Sequence, residues 1–237
     1  VPENSFAACA RALPWAAALS LAVGCNAGDE RPAASVEART PLPDRSALPK
    51  IVAFGDSLTA GLGIGLDEAY PAVLQSLLDA DGYRYEVVNA GVSGDTSAGG
   101  MRRLDWVLDG REVEVLILAL GANDGLRGLP PSEMKKNLAD IIERAKARGV
   151  RVLLAGFEAP PDARDVYLKE FVAVFPELAR EHDVPLLPSF LAGVAGVLEL
   201  NQEDGKHPNV EGARRLAENV FHAIEPLLAR SSTASAP

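Results

Sequence analysis

Ser57, His207 and Asp204 are the residues of this 237-residue chain whose types and surroundings suit nucleophilic chemistry. A serine hydroxyl attacks poorly until a base takes its proton. The chain has three histidines, His182, His207 and His222, so any histidine base is one of them. His182 and His222 fall within or at the end of predicted helices. His207 lies in the loop Asp204-Gly205-Lys206-His207-Pro208-Asn209. Asp204, three residues earlier, is close enough to hold Nδ1–H and leave Nε2 facing the serine. Pro208 biases His207 away from helical geometry and helps fix the loop. A tetrahedral oxyanion needs donors, and Ser57 N–H, Gly94 N–H and the Asn123 side-chain amide are the candidates. Each residue also has a plainer reading: Ser57 as a helix N-cap, His207 as a solvated loop histidine.

Other constellations compete with this one. Asp56, Asp95 and Asp124 each follow a predicted strand end and could gather around Mg²⁺ in a phosphohydrolase or phospho-acceptor domain. Turn formation and loop hydrogen bonding account for them equally well. Gly61-Leu62-Gly63-Ile64-Gly65 superficially resembles a dinucleotide loop, but Leu66 stands where the third glycine belongs. A loop passing close to the nucleophile, as part of the acyl-site wall, explains these glycines better. Arg102 and Arg103 could read an anionic head group, or be a solvated pair on a helix. Phe157 and Phe190 suit a pocket border or plain core. Cys9 and Cys25 are the two cysteines of the chain. A disulfide scaffold, a cysteine-ligated zinc and a cysteine nucleophile are therefore excluded from the body. No cofactor or metal is expected.

Alternating strands and helices must position these residues. Ile51–Phe54, Tyr85–Val88, Val113–Leu120, Val150–Ala155 and Val184–Leu187 read as short buried strands. Tyr70, Val73, Leu74, Leu77 and Leu78 recur at helical spacing, stopped by Gly82. Met134, Leu138, Ile141, Ile142 and Ala145 form another stripe, with Ser132 as N-cap and Gly149 past the end. Helices over Asp165–His182 and from Val210 to Leu228 follow, the latter capped by Asn209. This pattern predicts an α/β fold, a three-layer α/β/α sandwich around a parallel sheet, with ligands at the carboxyl ends of the strands. Gly55-Asp56-Ser57, Gly91–Asp95 and Gly121–Asp124 all follow predicted strands and so meet at one sheet edge.

Residues 1–25 read as a secretory signal. Ala12–Gly24 is an uncharged apolar run shorter than the roughly 20 residues of a membrane-spanning helix, with Arg11 ahead of it. The end, Ala22-Val23-Gly24-Cys25, resembles a bacterial lipoprotein signal, in which Cys25 would become the acylated first residue. Residues 26–49 lack apolar periodicity and are expected to form a disordered tether reaching roughly 25–30 Å. The folded body then spans 50–230, and the polar tail 231–237 should fray. Export to the periplasm or cell envelope follows.

The four segments resemble the SGNH hydrolase family, also called GDSL esterases and lipases. Gly55-Asp56-Ser57-Leu58 is similar to its first block, Gly94 to its second, Gly121-Ala122-Asn123-Asp124 to its third and Asp204-Gly205-Lys206-His207-Pro208 to its last. The resemblance covers about residues 50–228 and is greatest to the bacterial thioesterase I, lysophospholipase and arylesterase branch. It implies a flavodoxin-like sheet, with Ser57 as nucleophile, His207 as base and Asp204 as its orienter. Ser57 N–H, Gly94 N–H and Asn123 would form the oxyanion hole. The implied substrates are small or lipid-like esters and thioesters, including lysophospholipids. A carbohydrate-ester deacetylase and a non-catalytic lipid- or glycan-binding lipoprotein are the alternatives. The charge fits no polyanion partner: Lys+Arg is 23 and Asp+Glu 33, a net −10, so nucleic-acid binding is excluded. Glu3 and Arg11 cancel, so removal of residues 1–25 leaves that charge unchanged. Membrane attachment would then have to come from acyl chains on Cys25.

Overall fold

The structure, a computed structural model, describes residues 45–109, 112–159 and 164–229. The leader 1–25, Cys25, most of the 26–49 tether, Pro160 and Pro161, and the 231–237 tail lie outside the described residues. The described chain begins with Arg45, whose guanidinium donates to both carboxylate oxygens of Asp79 at 2.8 and 2.6 Å. The last few residues before 50 are therefore attached to the body.

Five parallel strands, β1 (Lys50–Gly55), β2 (Glu86–Gly91), β3 (Val113–Ala119), β4 (Arg151–Ala155) and β5 (Leu186–Leu187), form one sheet in the order β2-β1-β3-β4-β5. Alternate side chains of β1 serve opposite faces, as a strand's period of two requires. Val52 and Phe54 pack with β3 residues Leu116 and Leu118 on one face. Ile51 and Ala53 pack with Ile117 and Ala119 on the other. Both faces are covered, so the central strands read as continuous apolar runs rather than alternating ones.

Helices α3 (Ser97–Leu108), α5 (Pro131–Ala147) and α6 (Val166–His182) cover the Phe54 face, through Leu104, Leu138, Ile142, Val174 and Leu178. Helices α2 (Tyr70–Ala80) and α7 (Val210–Ile224) cover the Ile51 face, through Leu74, Leu78, Leu216 and Val220. Two one-turn helices, α1 (Ser57–Ala60) and α4 (Ala122–Leu126), follow β1 and β3 directly. Strand order reverses between β1 and β3, and the crevice at such a switch point is where ligands bind in open α/β sheets.

Several boundaries depart from the sequence expectation for local reasons. α5 starts at Pro131 with Pro130 as its cap and Ser132 inside it; the fixed φ of proline suits the first helical position, where no N–H is needed. β5 is shorter than Val184–Leu187 because Val184 N–H donates to Ala179 O at 3.0 Å, closing the end of α6. α7 stops at Ile224, and a 3₁₀ turn over Glu225–Leu227 contains Pro226, which has no N–H to continue the helix. β2 runs on past Val88 to Gly91, pairing with Phe54 and Gly55 to the end of β1. α3 carries adjacent glycines, Gly99 and Gly100, in its first turn, ahead of the apolar stripe Leu104, Val107 and Leu108. A Cβ at Gly100 would lie 2.2 Å from Leu120 Cδ1, so the helix approaches the sheet too closely for a side chain there.

Candidate active site

The end of β1 sets the first side chain. Asp56 is the N-cap of α1 and its Oδ1 accepts from Leu58 N at 3.0 Å. Ser57 is thus the first helical residue, not the cap, and its own N–H belongs to the set that has no intrahelical partner. Its side chain lies at the edge of burial, with 9% of the residue exposed.

Ser57 Oγ is 2.9 Å from His207 Nε2, and His207 Nδ1 is 2.5 Å from Asp204 Oδ2. An ionised carboxylate only accepts, so it fixes the proton on Nδ1 and leaves Nε2 to accept from the serine. Asp204 Oδ1 also accepts from the backbone N–H of Lys206 at 2.9 Å and of His207 at 3.0 Å. These bonds, chiefly that from the His207 ring, hold the Asp204 carboxyl well below its ordinary range. The structure therefore brings together in one line three residues separated by up to 150 positions.

The His207 loop is clamped by a residue with no distinguishing sequence signal. Gln202 N–H donates to His207 O at 2.8 Å, and Gln202 Nε2 donates to Leu62 O at 2.7 Å and Pro208 O at 2.9 Å. One amide thus ties the histidine loop to the segment after α1. Asn209 caps α7 as expected: its Oδ1 accepts from Glu211 N and Gly212 N at 3.1 Å each.

Asn123 projects from α4, and both its amide hydrogens are engaged. Nδ2 donates to Asp56 Oδ2 at 3.0 Å and to Asp95 O at 2.9 Å. Asp56 is 1% exposed. Burial pushes its carboxyl up to about 6, against the opposing pull of Leu58 N–H, the Asn123 amide and His207. Gly94 adopts a left-handed φ of 83° in the loop after β2. That loop is drawn to β1 by Val92 N–H donating to Gly55 O at 3.0 Å, and Gly94 O accepts from Arg127 Nη2 at 2.8 Å.

The three strand-end aspartates do not converge. Asp56 serves Leu58 and Asn123, Asp95 Oδ2 accepts from Arg103 Nε at 2.6 Å, and Asp124 accepts from Ser97 N and Oγ at 2.8 and 2.6 Å. Among the described residues no group of three or more His, Cys, Asp or Glu is placed to hold a metal. Arg103 is not solvated charge: it also donates to Ala90 O and Gly55 O, at 2.8 and 3.0 Å, and stacks 4.1 Å over Phe54. It binds the carboxyl ends of β1 and β2 together, and only Arg102 of the pair is exposed.

A cavity of about 580 Å³ opens beside Ser57 and His207, within the size range of small-molecule sites. Its apolar wall includes Phe157, Tyr167, Leu168, Phe171, Val172 and Leu191. Phe157 is thus a pocket residue. Phe190, 1% exposed and edge-on to Tyr70, is core. Gly61, Leu62 and Ile64 pass close to the nucleophile, as expected, but are not part of the large cavity's wall. They border a separate crevice of about 10 Å³ on Ser57 and His207.

Residues 53–215 match the GDSL-like lipase/acylhydrolase family. The chain is 41% identical over 187 residues to "Esterase TesA" of Pseudomonas aeruginosa, covering 79% of this chain and 93% of that protein. It is 35% identical over 182 residues to "Thioesterase 1/protease 1/lysophospholipase L1" of Escherichia coli (strain K12), covering 77% and 86%. Its fold superposes on the crystal structure of TesA with a TM-score of 0.72 at 41% identity, covering 76% of this chain and 99% of that one. It superposes on AlinE4, an SGNH-hydrolase family esterase, with a TM-score of 0.63 at 41% identity, covering 77% and 97%. With a family match over most of its length and relatives of this identity and coverage, this chain belongs to the GDSL-like lipase/acylhydrolase family, the SGNH hydrolases.

Proposed function

We propose that this protein is a serine esterase that cleaves carboxylic esters and thioesters through an acyl-serine intermediate. The observation that carries this reading is the unbroken line Ser57 Oγ–His207 Nε2–His207 Nδ1–Asp204 Oδ2, at 2.9 and 2.5 Å. Ser57 Oγ attacks the carbonyl carbon as its proton passes to His207 Nε2, and Asp204 stabilises the imidazolium. The carbonyl π-electrons move to oxygen, where Ser57 N–H, Gly94 N–H and Asn123 Nδ2 donate. Asn123 takes this role by releasing or sharing one of its two existing bonds. Collapse of the tetrahedral species expels the alcohol or thiol, which leaves with the proton from His207. Water, deprotonated by His207, then releases the acid and restores Ser57.

The apolar cavity wall favours an aliphatic acyl group over a carbohydrate ester, and lysophospholipids and small exogenous esters are the substrates we infer. The names of the relatives, esterase, thioesterase and lysophospholipase, support the same class. Export is inferred from residues 1–25, with Cys25 as the attachment point for lipid; mass spectrometry of the membrane-extracted protein should find acyl groups on Cys25, and an unmodified cysteine there contradicts this. The catalytic reading is tested with Ser57→Ala on p-nitrophenyl butyrate. We expect kcat to fall at least about 10⁴-fold with the thermal melt retained. Turnover within tenfold of the parent protein would overturn the assignment.

A further inference from the structure

We infer that Phe171 and Gly125 together set the length of acyl chain that this enzyme accepts, an inference that rests on the esterase reading above. Phe171 projects from α6 and lines the large cavity although only 6% of the residue is exposed. Most of the ring is covered by other aromatic rings. Its neighbours are Tyr167, stacked at 6.4 Å, Phe157 at 6.3 Å and Phe175, edge-on at 5.7 Å. The ring is therefore held in place by aromatic packing rather than free to swing with each ligand.

On its remaining side stands α4, the short helix that carries Asn123. A Cβ built on Gly125 would lie 3.0 Å from Phe171 Cε2 and 3.1 Å from Cζ. Gly125 also lines the cavity. The short helix that supplies a candidate oxyanion donor thus rests directly on a ring that lines the cavity. A side chain at 125 would have to displace the ring or take up cavity space.

Behind Phe171 the structure cannot readily refill a gap. Phe175 is 1% exposed and boxed between two backbone segments. A Cβ at Gly121 would approach Phe175 Cζ at 3.2 Å, and one at Gly156 would approach Phe175 Cβ at 3.0 Å. The ring next in line is therefore fixed by the turns after β3 and β4. Space vacated by Phe171 stays open, because a close-packed interior with fixed neighbours relaxes only partly. Truncation at 171 deepens the cavity, and a methyl at 125 shallows it. The two changes act on one wall with opposite sign.

Each methylene gained or excluded in an apolar pocket changes kcat/KM by about tenfold or more. The test is kcat/KM for p-nitrophenyl esters from acetate to palmitate with the parent protein, Phe171→Ala, Phe171→Leu and Gly125→Ala, each checked for a cooperative thermal melt. The readout is each ester's kcat/KM divided by that for acetate in the same variant. We expect the preferred chain to lengthen in Phe171→Ala and less so in Phe171→Leu, with the long-to-short ratio rising about tenfold or more. It should shorten in Gly125→Ala. If Phe171→Ala does not fold, Phe171→Leu and Gly125→Ala decide. Ratios within about twofold of the parent in the folded variants would overturn the inference, as would a uniform loss at all lengths. A shift seen with a series of alkyl acetates but not with the acyl series would place the leaving alcohol in the cavity and also overturn it. Failure of the parent protein to cleave any ester would instead refute the esterase reading itself.

Discussion

Asp56 carries an electrostatic cost that the fold accepts in order to place Ser57. Its carboxyl titrates near 6 rather than at the ordinary 3.8 because it is buried. The folded protein therefore holds the proton more tightly than the unfolded chain. Folding takes up a proton between about pH 4 and 6, so this group's contribution to stability falls as pH rises through that window. The full displacement corresponds to about 3 kcal/mol. Asparagine is an equally good N-cap, so Asp56→Asn should keep the turn and lose the pH dependence. Denaturant melts should show the variant gaining about 2–3 kcal/mol on the parent protein between pH 4 and pH 7.5; a constant difference contradicts this. Asn123→Ala removes a proposed oxyanion donor and should lower kcat about 10²–10³-fold, with a smaller effect on KM. An unchanged kcat would remove Asn123 from the hole. The line of Ser57, His207 and Asp204 was legible as types and spacings because a hydroxyl, an imidazole and a carboxylate are chemically distinct. Arg103 was not legible. Its neighbour Arg102 is exposed and its own role rests on carbonyls of Gly55 and Ala90 that only folding brings near.

Elements turn these residues into a site. The α1 and α4 turns begin where β1 and β3 end, at the point where strand order reverses, so two adjacent strands deliver Ser57 and Asn123. The histidine arrives from the other end of the chain, on a loop fixed by Gln202 on one side and the Asn209 cap on the other. Asn209→Ala leaves two N–H groups at the start of α7 without their acceptor. It should cost about 1 kcal/mol, up to 2, in denaturant melts. Gln202 gave no signal in sequence, since a lone glutamine in a loop is chemically ordinary until its partners are known. Five strands and four helices are read from apolar periodicity; α3 is not, although Leu104, Val107 and Leu108 recur along its buried face. Its paired glycines suppress helical propensity, and the reason for them, the close approach of Gly100 to Leu120 and Phe54, is tertiary.

The molecule as a whole stabilises this arrangement by covering both faces of a small parallel sheet. Leu118, in the central strand and fully buried, is a sensitive point. Leu118→Ala should cost about 2–5 kcal/mol, which lowers Tm by roughly 4–20 °C for a domain of this size. A change under 2 °C would mean that the central layer is not packed as described. Since Asp56, Asp95 and Asp124 are separately engaged, ester hydrolysis should be unaffected by EDTA; loss of activity restored by Mg²⁺ would revive the metal reading. Among the described residues no helix is long and apolar enough to cross a membrane, and the net charge of −10 opposes adsorption to anionic lipid. Ser57 Oγ is the atom proposed to become acylated. The most direct measurement is peptide mass spectrometry after incubation with a p-nitrophenyl alkylphosphonate, which traps an activated serine as a stable phosphonyl ester. One phosphonyl group on the peptide containing Ser57, absent in His207→Ala, is the predicted result; a label on any other residue, or none on an active enzyme, would contradict it.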